Sequence, residues 1–274
     1  LYASEGHIKF IAKSLKERKQ FQGSHVIVHN EIVKKVWVEN KFIGDKNISV
    51  CGKLIKNSKS TLAENSFFDV VFFSFGPGTG IPKAKIFPER RQVGYHNLCR
   101  ITHLEIINFA IKNPDKNVII KPKWGGNWLN YIYNLAHKEN IDLEKIKNLA
   151  INEKLNSFDL IKNSSVVVAF NSTTILEAAL KNKFVIIPCF AEAEKKGFKE
   201  TVYFREYFNL FEIAASSKDL YDKISLGYKN PGKHKEFLQK RIRLYELYVS
   251  PIKGNQIKKC IGILEKQIKN NTFQ

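Results

Sequence analysis

Four apolar runs constrain this chain more than any other feature. Phe67 to Phe75 (FFDVVFFSF), Asn117 to Lys121 (NVIIK), Ser165 to Phe170 (SVVVAF) and Phe184 to Pro188 (FVIIP) lack the polar alternation of a half-exposed strand. Each reads as a strand buried on both faces. Helical patterns separate them: Thr102 to Lys112, about Asn127 to Glu139, a short stretch around Phe158, and about Thr174 to Asn182. A weaker strand is expected near Lys147 to Ile151, and Phe211 to Ala215 would be the last. Buried strands that alternate with helices imply an α/β fold, a Rossmann-like parallel sheet with helices on both faces. Upstream, Val26 to Val28 and Ile48 to Cys51 read as two short strands flanking an amphipathic, turn-rich segment. Downstream, Lys233 to Val249 and Ile252 to Lys269 read as two basic helices split by Ser250-Pro251.

The chain has 274 residues, of which 43% are hydrophobic, enough for one large core or two modest ones. No apolar run approaches the roughly 20 residues that a membrane span requires. Lys and Arg number 45 against 26 Asp and Glu, a formal charge of +19 that attracts phosphate, on nucleotides or on anionic lipid. The chain shows no Arg-rich helix, zinc-finger spacing or aromatic RNA-binding run, so nucleic acid is not the expected partner. Cys51, Cys99, Cys189 and Cys260 are scattered without metal or redox spacing, which suits reduced thiols in a cytoplasmic protein. No protein-held metal and no cofactor are expected. Met is absent throughout, position 1 included, and the expectation is a processed product or a fragment missing its upstream part.

The segment that carries most chemistry is Asn171-Ser172-Thr173-Thr174 with Glu177. A small polar turn there joins the carboxyl end of a buried strand to a helix, the place where open α/β sheets bind phosphates. Two readings stay open: Thr174 and Glu177 form a capping box, or the hydroxyls hold a phosphate while Glu177 faces a ribose. Ser74 to Gly80 (SFGPGTG) follows the first strand, and Gly76 and Gly78 would let backbone approach a ligand. The alternative is a flexible surface loop. Lys121 and Lys123 beside a Gly-Gly turn suit a phosphate, with Trp124 free to stack on a base or sugar; a solvated pair of lysines is the other reading. His96 and His103 are either structural or near the phosphates.

Strand, then S-T-T-x-x-E-A, then a Lys-containing turn, then F-V-I-I-P resembles the donor-binding half of GT-B glycosyltransferases. Bacterial capsule and surface-polysaccharide enzymes are the nearest group: capsular Kdo transferases, polysialyltransferases and teichoic-acid polymerases. Ser172, Thr173, Thr174 and Glu177 match; Asn182 and Phe184 replace the Gly and Pro of the following turn, and Lys123 replaces a His. The likeness implies that the turn binds the donor phosphates and Glu177 the ribose. It also implies a hinge near Gly52 and a catalytic base from the N-terminal part, where Glu5 and His7 are the candidates and a frayed end is the alternative.

The expected organisation follows: residues 1–52 as the tail of a partial acceptor domain and hinge, 53–232 as the nucleotide-sugar domain, 233–274 as helices packing back across the hinge. The expected activity is transfer of a sugar from a nucleotide sugar, CMP-linked by the capsule resemblance, to a polysaccharide or lipid-linked glycan. An epimerase, a polyol-phosphate transferase on the same fold and a non-catalytic binder of nucleotide or anionic membrane are the rivals. The expected place is the cytoplasm, peripheral to the inner face of the membrane.

Overall fold

A computed structural model describes residues 3–53, 62, 66–81, 94–123, 126–230 and 232–272. The chain divides into two compact units, one of Leu1–Ser58 with Ile242–Gln274 and one of Lys59–Arg241.

The smaller unit opens with helix α1 (Glu5–Lys16), strand β1 (Val26–Val28), helix α2 (Glu31–Glu39) and strand β2 (Ile48–Val50). β1 and β2 pair in parallel, Val26 opposite Ile48. Val28, Ile43, Ile48 and Val50 form the core of this unit, with Phe21, Val33 and Trp37 packed on it. The segment between the strands is helical where a turn-rich stretch was expected. Asn30 explains it: its side chain accepts the Val33 N–H at 3.0 Å and donates to the Tyr248 carbonyl at 2.7 Å. One residue thus caps α2 and anchors it to a distant segment. The Ser4 hydroxyl accepts the His7 N–H and starts α1, so the chain is helical from Glu5 onward.

The larger unit holds strands β3 (Phe68–Phe73), β4 (Val118–Lys121), β5 (Leu149–Ile151), β6 (Ser164–Ala169), β7 (Phe184–Pro188) and β8 (Glu212–Ala214). Its helices are α3 (His96–Lys112), α4 (Asn127–Lys138), α5 (Ser157–Lys162), α6 (Thr174–Leu180) and α7 (Ser217–Lys229). The sheet order is β5-β4-β3-β6-β7-β8 and every neighbouring pair is parallel. Val70, Val71, Phe72, Val166, Val167 and Val168 are fully buried. Each such side chain stabilises the fold by about 1.5–3 kcal/mol, which is why continuous apolar runs mark these strands. α3 and α7 pack together, as do α5 and α6, so helices cover both faces of the sheet.

Helix α7 has no counterpart in the sequence reading. Its core contacts fall on Leu220, Ile224 and Gly227, and a glycine hides the third apolar position. A Cβ at Gly227 would meet Phe184 at 2.5 Å and Val166 at 2.7 Å, so only glycine lets the helix lie this close to the sheet. The signal available was its cap, Ser216 accepting the Asp219 N–H at 3.0 Å while Asp219 accepts that of Ala215 at 2.8 Å. The chain ends in α8 (Leu238–Tyr248) and α9 (Gln256–Thr272). Arg241, within the segment read as a basic helix, is fully buried and donates from Nε and Nη2 to the Leu210 carbonyl. Burial lowers its pKa to about 10.

Candidate functional site

The strand order reverses between β3 and β6: the chain runs outward from β3 to β4 and β5, then returns to β6 and proceeds the other way. Two adjacent loops therefore leave the carboxyl ends of β3 and β6 in opposite directions and open a crevice. The loop after β3 is Ser74 to Ile81 and the turn after β6 is Asn171 to Thr173. The Gly-rich loop and the Ser-Thr-Thr turn, nearly a hundred residues apart in sequence, meet here.

Asn171 joins them. It is buried, sits in the left-handed region with φ 48°, and its side chain is fully employed. Nδ2 donates to the carbonyls of Thr79 at 3.2 Å and Thr201 at 3.1 Å, and Oδ1 accepts the Tyr203 N–H at 2.8 Å. The loops after β3, β6 and β7 are thereby tied at one point. The sequence reading counted Asn171 among the phosphate-binding residues; in the structure its side chain is committed to backbone groups. Gly80 is the glycine this arrangement requires: its φ is +77° and a Cβ would lie 2.1 Å from Asn171 Nδ2. Gly76 donates its N–H to Thr79 Oγ1 at 3.2 Å, and a Cβ there would press on Trp128 at 3.1 Å. Gly78 is exposed with open space around it.

At the start of α6 the capping box, one of the two readings left open by the sequence, is replaced by another arrangement. The N-cap is Thr173, which makes no side-chain cap bond; Ser172 Oγ, one residue earlier, lies 3.3 Å from the Thr174 N–H and accepts the Thr174 hydroxyl at 2.8 Å. Thr174 is already helical, and the Glu177 N–H is taken by the Thr173 carbonyl at 3.0 Å. Ser172, Thr173, Thr174 and Glu177 are all half-buried. The turn thus carries three hydroxyls, two of them bonded to each other.

Helix α3, which follows the Gly-rich loop, starts at His96 rather than near Thr102, and its first turn is closed from elsewhere. Glu192, in a 3-10 turn after β7 (Ala191–Glu194), is buried and places one carboxylate oxygen on each of the Asn97 and Leu98 N–H groups, both at 2.9 Å. Burial pushes the Glu192 carboxyl up, but the N–H donors outweigh it and hold the group below the usual carboxylate range. No local signal predicts a cap ninety residues away. Further along α3, His103 is fully buried with Nδ1 2.7 Å from the Cys99 carbonyl. A carbonyl only accepts, so Nδ1 carries the proton and Nε2 accepts from Ser74 Oγ at 2.7 Å. Burial lowers this histidine to about 4, which keeps it neutral and structural. His96 is exposed at the head of α3.

Lys121 ends β4 and is buried. Its ammonium donates to the Pro122 carbonyl at 3.0 Å and the Glu153 carbonyl at 2.5 Å, and desolvation lowers its pKa despite the nearby Glu153 carboxylate. Two of its three N–H groups serve the protein itself. Lys123 is exposed, and Trp124 lies outside the described residues. Glu5 and His7 belong to the smaller unit. Glu5 is exposed and pairs with Lys9, while His7 is buried with Nδ1 2.8 Å from Ser4 Oγ. Burial, and then the nearby amino terminus, lower His7 to about 4. Among the described residues no three His, Cys, Asp or Glu side chains converge where a metal ion could sit. Nor is any described helix long and apolar enough to cross a membrane.

The strand order, the all-parallel pairing and the two helix layers define a Rossmann-like α/β architecture. No family model and no curated protein matches the sequence. Solved structures do match the fold. A structure of the wall teichoic acid polymerase TagF superposes with a TM-score of 0.57 at 10% identity, over 94% of this chain and 61% of that one. The same polymerase soaked with CDPG gives 0.56 at 14% identity, over 98% and 62%. A protein assigned as a UDP-N-acetylglucosamine 2-epimerase from Listeria monocytogenes gives 0.51 at 8% identity, over 88% and 59%. The chain spans less than two thirds of the length of each.

Proposed function

We propose that this chain is the nucleotide-binding part of a glycosyltransferase that moves a sugar from a nucleotide sugar to a surface glycan. The observation that carries the reading is the switch-point crevice, where Asn171 holds the Gly-rich loop against a turn bearing three hydroxyls. In this reading the hydroxyls of Ser172, Thr173 and Thr174 and the backbone of Gly76 and Gly78 take the donor phosphate. The third N–H of Lys121 and the charge of Lys123 add to the field, and Glu177 takes the ribose hydroxyls. Stabilising the departing phosphate in this way would lower the barrier to transfer. The base would come from the smaller unit, where His7 stays neutral at neutral pH and so has a lone pair to offer. Residues 1–52 are then the end of an acceptor-side domain and its hinge, and 233–274 the helices that return to it. The nucleotide sugar is substrate, and no cofactor or metal is required.

The donor is taken to be CMP-linked and the acceptor a capsule-type polysaccharide or its lipid-linked precursor. The likeness to a teichoic acid polymerase supports a second reading, in which the same crevice takes a polyol-phosphate donor. A thermal-shift series with CMP, CDP, UDP and GDP tests both, since a ligand that binds the folded state raises the melting temperature. A shift with any of them that is lost in Thr174→Ala supports the site, and no shift with all four rejects it.

A cytoplasmic place at the membrane surface is part of the same proposal. α9 exposes Ile257, Ile261 and Leu264 at helical spacing, flanked by Lys258, Lys259, Lys266 and Lys269. A helix with an apolar stripe and basic flanks suits an anionic lipid surface. Sedimentation with anionic liposomes at low salt that fades at high salt is expected. Equal binding to neutral liposomes rejects the electrostatic part.

A further inference from the structure

Cys51 and Cys260 stand 209 positions apart in the sequence, yet their side chains meet within the smaller unit. Cys51 follows β2 and is buried; Cys260 lies on α9 and is half-buried. The Cys51 thiol donates to the Gly52 carbonyl at 3.3 Å, and Cys260 lies close enough to raise its pKa. The surrounding geometry places α9 independently of the sulfurs. A Cβ at Gly52 would lie 2.6 Å from Cγ of Gln256 and 2.7 Å from Oγ of Ser250, and the Lys53 N–H donates to Ser250 Oγ at 2.9 Å. Gln256 is one helical turn before Cys260, so the face of α9 that covers Gly52 also carries Cys260 toward Cys51. Gln256, Cys260, Ile263 and Gln267 form this half-buried face, while the exposed Ile257, Ile261 and Leu264 lie one residue further round.

We propose that Cys51 and Cys260 form a reversible disulfide that fastens α9 to the end of β2 when the surroundings turn oxidising. Cys260, the more accessible sulfur, meets the oxidant first. With a disulfide such as oxidised glutathione, the Cys260 thiolate attacks one sulfur and releases one glutathione thiolate. The Cys51 thiolate then attacks the Cys260 sulfur of the mixed disulfide, closes the protein bridge and releases the second glutathione. Two protein thiols are oxidised, one disulfide is reduced to two thiols, and the protons pass to the two released thiolates. Burial and the adjacent Cys260 raise the Cys51 thiol above its ordinary range, so the closing step quickens as pH rises. Cys99 and Cys189 are buried, and burial raises both to about 12, which leaves them out of the exchange. In a reducing cytosol the bridge stays open and forms only under oxidative load. Once closed, it holds α9 with its apolar stripe outward.

The test is non-reducing peptide mass spectrometry of the folded full chain after equilibration with oxidised glutathione at pH 7 and pH 8.5. A cross-linked peptide pair containing Cys51 and Cys260 is expected, with the two other thiols still alkylatable after denaturation. It should form several-fold faster at pH 8.5 and revert with reduced glutathione. In Cys260→Ser, a change on a half-exposed helix face, Cys51 should stay unmodified. A stable glutathione adduct on Cys260 without closure, or a bridge that involves Cys99 or Cys189, overturns the proposal.

Discussion

Helices α3 and α6 begin at the carboxyl edge of one sheet and on either side of its switch point, but their first turns are completed in opposite ways. α3 is closed by the protein itself: the Glu192 carboxylate occupies the Asn97 and Leu98 N–H groups, leaving no room there for an external anion. α6 is finished only by Ser172, a neutral hydroxyl within its own turn, and keeps the hydroxyls of Thr173 and Thr174 beside it. A parallel sheet offers several helix starts to a phosphate. In this chain the first of them is filled by an internal anion, whereas the turn after β6, the proposed ligand site, holds among the described residues no internal carboxylate of that kind on its first N–H groups.

The largest effect should come from loosening the point that holds α6's turn against the loop of β3. Asn171→Ala leaves the Thr79 and Thr201 carbonyls and the Tyr203 N–H without their partner. Each buried group left unpaired costs about 1–3 kcal/mol, so roughly 3 kcal/mol or more should be lost in urea unfolding. Gly80→Ala should cost as much, because its Cβ falls on the same amide in a left-handed backbone. A loss below about 1 kcal/mol in both variants would mean that the two loops are not held together by this contact.

Next in size is the cap of α3. Glu192→Ala should lower stability by about 2 kcal/mol at pH 7. If the crevice lies at α6, nucleotide affinity should change by less than about twofold among the molecules that remain folded. Binding that improves markedly, or a second phosphate bound per chain in calorimetry, would show that α3 is the better anion site once emptied. The pH dependence separates the helices as well. The Glu192 carboxyl is held low in the fold, so its stabilisation is present above the unfolded value of about 4.3 and is lost as pH falls through the depressed folded value. His103, lowered to about 4, acts in the range above: the unfolded chain gains a proton from about pH 6.5 downward, and stability falls until the folded ring also protonates near 4. Both groups anchor α3. Acid unfolding should therefore begin below about pH 6.5, and in Glu192→Gln the part below about 4.3 should be smaller, with Glu194 and Glu212, also held low, supplying what remains.

The same contrast explains what the sequence could reveal. The strands of the larger sheet were legible because burial on both faces writes an unbroken apolar run, as in Val166 to Ala169. The turn after β6 was legible because strand, hydroxyls and helix follow one another directly. The start of α3 was not, since its cap comes from Glu192, and neither was the role of Asn171, whose partners lie on three loops. The burial of Lys121 was not legible either, because its two carbonyl partners are fixed by the fold and not by its place at a strand end. The meeting of Cys51 with Cys260 leaves no trace in spacing either. Local chemistry reads out of a sequence; a site completed by residues far along the chain does not.

A smaller effect separates capping from binding within α6. Ser172→Ala should cost about 1 kcal/mol of stability, as loss of a hydroxyl bonded to a helix start does. Thr174 is not the cap, so Thr174→Ala should cost less than about 0.5 kcal/mol while weakening nucleotide binding measured by calorimetry. Equal loss of stability in the two variants, with affinity unchanged in both, would reduce the hydroxyl turn to a structural feature.

The smallest change, Glu177→Gln, decides whether α6 resembles α3 after all. Glu177 lies in the first turn of α6, and a carboxylate there interacts favourably with the helix start whether or not a ligand is present. If that is its whole role, it is the counterpart of Glu192, and removing its charge should strengthen phosphate binding while leaving the response to the sugar unchanged. If it accepts the ribose hydroxyls, a different pattern follows. Gln keeps the shape and one acceptor but forfeits the extra strength of a charged hydrogen bond, about 1 kcal/mol. Calorimetry with ribo- and 2′,3′-dideoxynucleotides should then show the ribose preference shrinking about fivefold, with folding stability within about 0.5 kcal/mol of the parent. Tighter binding of both nucleotides with an unchanged preference would make Glu177 an internal anion, and the crevice would lose its candidate for recognising a ribose.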